Sequence, residues 1–201
     1  MNGKILTFDE AGIHEVIGGI RKNHDERVED GRRKYGDGTA LMPYTTAVFG
    51  HAHAGKSTFC RTAIRQLHKE GYNFDVLTTN VTSVRDIKRD SELKGHYGDL
   101  RRNEGYLFFD IGYNVVNPAN IPSDVTMFSG EIAKELTGRE TDCNVFIYNP
   151  DLMRSYAPDF TRLLEELRDG RLPPSSPLLD GFLHRFNVII ANPNSSPVGK
   201  C

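Results

Sequence analysis

Apolar residues in this chain gather into short runs separated by polar stretches that carry glycine. Five of these runs have strand length: YTTAVFG (44–50), NFDVLTTN (73–80), GYLFFD (105–110), NVFIYN (144–149) and FNVIIAN (186–192). Between them the apolar period changes to that of a helix. Phe59, Ala63, Ile64 and Leu67 share one face of a helix predicted over 57–69, which Gly71 stops. Short helices are expected near 83–103. Ser129 stands as N-cap of a helix over 129–138. A further helix over 158–169 places Phe160, Leu163, Leu164 and Leu167 inward, with Pro158 in its first turn and Gly170 at its end. The segment RLPPSSPLLDG (171–181) reads as a loop. Strands that alternate with helices predict an α/β fold with a doubly wound, mostly parallel, five-stranded sheet.

The first 43 residues follow a different pattern. Thr7 and Glu10 have capping-box spacing, and Ile13, Val16, Ile17 and Ile20 then fall on one helical face. Gly18 and Gly19 weaken that helix. The stretch RKNHDERVEDGRRKYGDG (21–38) is almost wholly polar and reads as a solvated helix end and linker. The alternative is an arm that contacts a partner or folds over a bound ligand. The expected organisation is a helical and polar extension over 1–43 and one domain over 44–201.

Composition narrows the class only a little. A chain of 201 residues with 38% hydrophobic and 26% charged residues suits one globular α/β domain. The net charge of -2 gives no general pull toward nucleic acid or membrane, and neither is expected as a partner. Cys60, Cys143 and Cys201 form no C-x-x-C pair, so neither a zinc site nor a disulfide framework is indicated. The sequence shows no signal-peptide core and no apolar run of membrane-spanning length, so a reducing, cytoplasmic setting is expected.

The most specific signal lies between the first apolar strand and its helix. Gly50-His51-Ala52-His53-Ala54-Gly55-Lys56-Ser57 fits G-x-x-x-x-G-K-[ST] at every fixed position. This stretch resembles the Walker A loop of the P-loop NTPase superfamily, and a strand before it and a helix after it are the required context. The resemblance implies a nucleoside triphosphate cradled by backbone N–H groups, from Gly50 through Thr58, at a helix N-terminus. Lys56 would reach the β- and γ-phosphates, Ser57 would ligate Mg²⁺, and Thr58 would contact the α-phosphate. His51 and His53 read as variable loop positions. One alternative is a histidine hydrogen-bonded to the γ-phosphate. Asp110, after LFF, resembles the Walker B aspartate that orients the metal through its water shell.

Within the superfamily the loop resembles GHVDxGKST of translational GTPases, but the guanine-reading N-K-x-D is missing. Neither Asn149-Pro150-Asp151-Leu152 nor Asn192-Pro193-Asn194-Ser195 places an aspartate three residues after the asparagine. Motor ATPases carry a glutamate beside the Walker B aspartate, whereas Ile111 and Gly112 follow here. The layout is most similar to small-molecule and nucleotide kinases. That resemblance implies ATP·Mg²⁺-dependent phosphoryl transfer to a small acceptor, with GTP not excluded. Asp86 or Asp90 would act as base, and a late arginine, Arg154 or Arg162, would serve the transferring group. Asn192, Pro193 and Asn194 would border adenine. The alternative is a nucleotide-hydrolysing switch that acts on a protein partner.

Overall fold

The computed structural model describes residues 5–36, 44–51, 53–78, 105–113, 141–171 and 177–194. The helices expected near 83–103 and over 129–138 lie outside the described residues, as do Ala52, Asp86 and Asp90. Six strands form a single sheet: β1 (Ile5–Thr7), β2 (Tyr44–His51), β3 (Asn73–Thr78), β4 (Gly105–Tyr113), β5 (Cys143–Tyr148) and β6 (Val188–Ala191). Their order is β1-β6-β5-β2-β4-β3, and every neighbouring pair is parallel. All strands therefore end at the same edge, where ligands of open α/β sheets sit.

The described helices are α1 (Glu10–Tyr35), α2 (Lys56–Lys69), α3 (Pro150–Tyr156), α4 (Pro158–Arg168) and α5 (Pro177–Arg185). They cover both faces of the sheet. Because strand side chains alternate, Tyr44 and Val48 of β2 join one core with Val16, Ile17 and Ile20 of α1 and Phe59, Ile64 and Leu67 of α2. Ala47 and Phe49 of the same strand join the opposite core, with Met153, Phe160, Leu164 and Phe182 of α3, α4 and α5. The fold is thus a doubly wound α/β sheet, with the glycine loop joining central strand β2 to α2. None of the described helices is long and apolar enough to cross a membrane.

The sheet has one strand more than the five expected. β1 extends it beyond β6, with Ile5, Leu6 and Thr7 opposite Ile189, Ile190 and Ala191. A three-residue strand is too short for its alternation to stand out from sequence alone. α1 starts at Glu10, and its cap is Asp9, whose carboxylate accepts from Gly12 N–H at 2.8 Å. The helix then runs unbroken through the polar stretch read as a linker, as far as Tyr35. That stretch is held by buried His24, Val28 and Gly31 and by an ionic clamp. Asp142 accepts from Thr45 N–H at 2.7 Å, from Thr45 Oγ1 at 2.9 Å and from Arg27 Nη1 at 2.9 Å. The Arg27 guanidinium also lies 5.2 Å over the Tyr44 ring. These contacts fasten α1 to the end of the sheet away from the glycine loop.

Two helices were not foreseen. α3 follows β5 directly, with Asn149 as N-cap and Pro150 at the helix start. α5 takes up residues 177–181 of the segment read as a loop, and Pro177 opens it.

Candidate functional site

β2 carries the chain to His51 and the loop returns it into α2 at Lys56. Tight packing at two points explains the fixed glycines. A Cβ on Gly50 would lie 2.2 Å from the Ile147 carbonyl oxygen of neighbouring strand β5. Gly55 has φ of 104°, and a Cβ there would lie 2.7 Å from the Asn192 amide nitrogen. A side chain at either position would collide with these neighbours. Gly55 is also the N-cap of α2 and gives the helix no side-chain cap, as Ala157 gives none to α4, whereas Asp9 caps α1 and Asn149 caps α3. A helix start with no capping side chain is the local arrangement that suits an anion.

Lys56 is buried, and its Nζ donates to the His51 carbonyl at 2.8 Å, across the mouth of its own loop. Ala54 N–H donates to the same carbonyl at 3.2 Å. Ser57 is half-buried in the first turn of α2, and Thr58 is exposed beside it. The two histidines have separate surroundings. His51 is 4% exposed, and its Nε2 accepts from Asn149 N–H at 2.9 Å. His53 is exposed on the loop crest, with a left-handed φ of 61°. The His51 imidazole is therefore engaged inside the protein. Among the described residues there is no group of three His, Cys, Asp or Glu that could hold a metal ion.

Asp110 lies on β4, the strand directly beside β2, opposite Val48 on one side and Thr78 on the other. It does not end its strand, as the sequence reading had it. Ile111, Gly112 and Tyr113 continue the ladder opposite Phe49, Gly50 and His51. Isoleucine and tyrosine favour extended backbone and carry the strand past the aspartate. Asp110 thus stands two residues, about 7 Å, below the level of Gly50.

Asn192 is buried next to the loop. Its side-chain amide donates to the Ala54 carbonyl at 2.9 Å, and its backbone N–H donates to the Tyr148 carbonyl at 2.7 Å. Pro193 and Asn194 are exposed just beyond it. Phe8, at the start of the β1–α1 connection, borders the same side of Gly55, where an added Cβ would lie 3.2 Å from its ring. Its N–H donates to the Ala191 carbonyl at 2.8 Å. Phe8 is not among the residues the sequence singles out, because it lies in the stretch over 1–43 read as a helical and polar extension. The apolar residue after ILT was the only available sign.

The late arginines are paired with carboxylates of α3 and α4. Arg154 is paired with Asp151 at 2.9 Å and with Glu165, joining α3 to α4. Arg162 is exposed, 3.7 Å from Asp159 and 3.5 Å from Glu166 on its own helix.

No protein-family model matches the sequence, and a search of curated proteins finds no match. Among solved structures, the chain is similar to the crystal structure of the cell division protein FtsY from Thermotoga maritima. Identity is 12% and the TM-score is 0.41, over 92% of this chain and 90% of that chain.

Proposed function

We propose that the chain binds a nucleoside triphosphate with Mg²⁺ at the β2–α2 loop and catalyses its hydrolysis. The observation that carries this reading is the loop itself. A glycine cradle that admits no Cβ, a helix start without a capping side chain and a buried lysine meet at the C-terminal edge of a parallel sheet. These features favour an anion with several charges in a small volume.

The residues fit the chemistry such a ligand brings, namely transfer of its terminal phosphoryl group. Backbone N–H groups at the start of α2 would hold phosphate oxygens. Lys56 would neutralise charge on the transferring group, in a site where such preorganised charge is worth most. Ser57 would offer its hydroxyl to Mg²⁺. Asp110, one strand over and below the loop, suits a contact through metal-bound water, because Mg²⁺ keeps several waters.

Water is the acceptor this reading favours. A small-molecule acceptor would call on a positioned base, Asp86 or Asp90. It would also call on Arg154 or Arg162, whose guanidinium groups are engaged by nearby carboxylates. The proposed partners are thus the Mg²⁺-nucleotide and a protein that responds to its turnover, in the cytoplasm. The test is phosphate release from ATP and from GTP with Mg²⁺, with and without a panel of nucleosides, nucleotides and sugars. Release that no small acceptor redirects supports hydrolysis. A phosphorylated acceptor would overturn it in favour of a kinase.

A further inference from the structure

The first variable position of the loop, His51, is spent on the protein interior. Its imidazole is buried, and its Nε2 accepts the Asn149 backbone N–H at 2.9 Å. Its own carbonyl accepts from Lys56 Nζ at 2.8 Å and from Ala54 N–H at 3.2 Å. One residue therefore holds the loop at both ends. The side chain ties it to the β5–α3 junction, and the carbonyl ties it to the lysine. Asn149 is itself fixed, because its side chain caps α3 by accepting from Leu152 N–H at 2.8 Å.

We infer that His51 is a positioning residue of the phosphate site. Its neutral imidazole fixes the peptide whose carbonyl braces Lys56. This rests on the nucleotide reading above and adds a role for one loop side chain. A backbone N–H can be satisfied only by a lone pair, so the histidine must carry its proton on Nδ1. The rotation of the residue is then set, and with it the direction of its carbonyl. An ammonium has three donors, so bracing on a carbonyl is compatible with holding phosphate oxygens. Without the side-chain tie the peptide can turn, and the brace no longer has a fixed place.

Three proteins separate this role from mere bulk: wild type, His51→Leu and His51→Gln. Glutamine can put an acceptor near the place of Nε2, whereas leucine fills the space without one. Binding of MgATP and MgADP is measured by calorimetry, alongside the thermal midpoint of each free protein. We expect His51→Leu to bind about tenfold to a hundredfold more weakly, the range that loss of one buried hydrogen bond gives. His51→Gln should stay within about threefold of wild type, as a retained acceptor implies. Equal binding by wild type and His51→Leu overturns the inference and leaves the nucleotide reading standing. Equal weakening in both variants also overturns it, because then shape and not the acceptor matters. If wild type binds neither nucleotide, the nucleotide reading fails and the positioning role with it. Long-range ¹H–¹⁵N spectra of the free wild-type protein give a check that needs no variant. They should show His51 with its proton on Nδ1, and a proton on Nε2 contradicts the bond to Asn149.

Discussion

The Asn192 side-chain amide donates to the Ala54 carbonyl at 2.9 Å, joining the end of β6 to the glycine loop across 138 residues of sequence. The bond is buried, so its loss is not made good by water. Asn192→Ala is expected to cost about 1–3 kcal/mol. Thermal denaturation should show a fall of about 2–4 °C for each kcal/mol lost. Asn192→Asp should be worse, because a carboxylate would face a carbonyl oxygen. An unchanged midpoint in both variants would mean that this bond is not holding the loop.

Asp110 is opposite Val48, on the strand beside the loop strand. Asp110→Asn keeps the shape and removes the charge that would orient hydrated Mg²⁺. The expected result is a higher Mg²⁺ midpoint for turnover, with little change in nucleotide affinity measured in EDTA. The same Mg²⁺ midpoint in both proteins would make Asp110 a strand residue and nothing more.

Alkaline pH should destabilise the protein. Burial, and then the Asp142 carboxylate, push the Cys143 thiol up from 9.0 to about 12. Burial also raises the phenols of Tyr44 and Tyr148 above their ordinary 10.0. Each group stays neutral in the folded chain at a pH where the unfolded chain has ionised it. The stability they support is thus present below about pH 9 and is lost as pH rises through the folded values. Each proton contributes a slope of up to about 1.4 kcal/mol per pH unit. Urea titrations from pH 8 to 11 should show the decline begin near pH 9, and Cys143→Ala should make it shallower. At pH 8, Cys60 and Cys143, both buried, should resist alkylation until the chain is unfolded.

Adenine is expected over guanine. Guanine presents N1 and N2 donors that need a carboxylate. Asp151 stands two residues after Asn149, not three, and its carboxylate is held by Arg154 at 2.9 Å. The unmet donors would cost about 1–3 kcal/mol. Competition between ADP and GDP in the presence of Mg²⁺ measures the preference. Tenfold tighter GDP binding would reverse it.

Much of the fold was legible where an apolar pattern repeats. The face Phe59, Ala63, Ile64 and Leu67 of α2 is buried as its spacing predicts. The same holds for Ile13, Val16, Ile17 and Ile20 of α1. What escaped was set by tertiary contact. The second half of α1 has little apolar content, and its place depends on Arg27 meeting Asp142 from 115 residues away. β1 is a strand because β6 offers it a free edge. α3 was hidden because Asn149, its N-cap, also closes the apolar run of the strand before it. For the site, the motif located the glycines and the lysine. It could not tell that His51 turns inward while His53 stays exposed, because that depends on where Asn149 presents its N–H.

The central claim is that the β2–α2 loop is a nucleotide site, and Lys56 is its most exacting residue. Calorimetric titration of MgATP and MgGTP into wild type and into Lys56→Ala tests it directly. Wild type should bind at least one of them. Lys56→Ala should lose about 2–4 kcal/mol, the scale of one preorganised charged contact, with its circular dichroism unchanged. Equal affinity in the two proteins, or no binding of either nucleotide by wild type, would contradict the account.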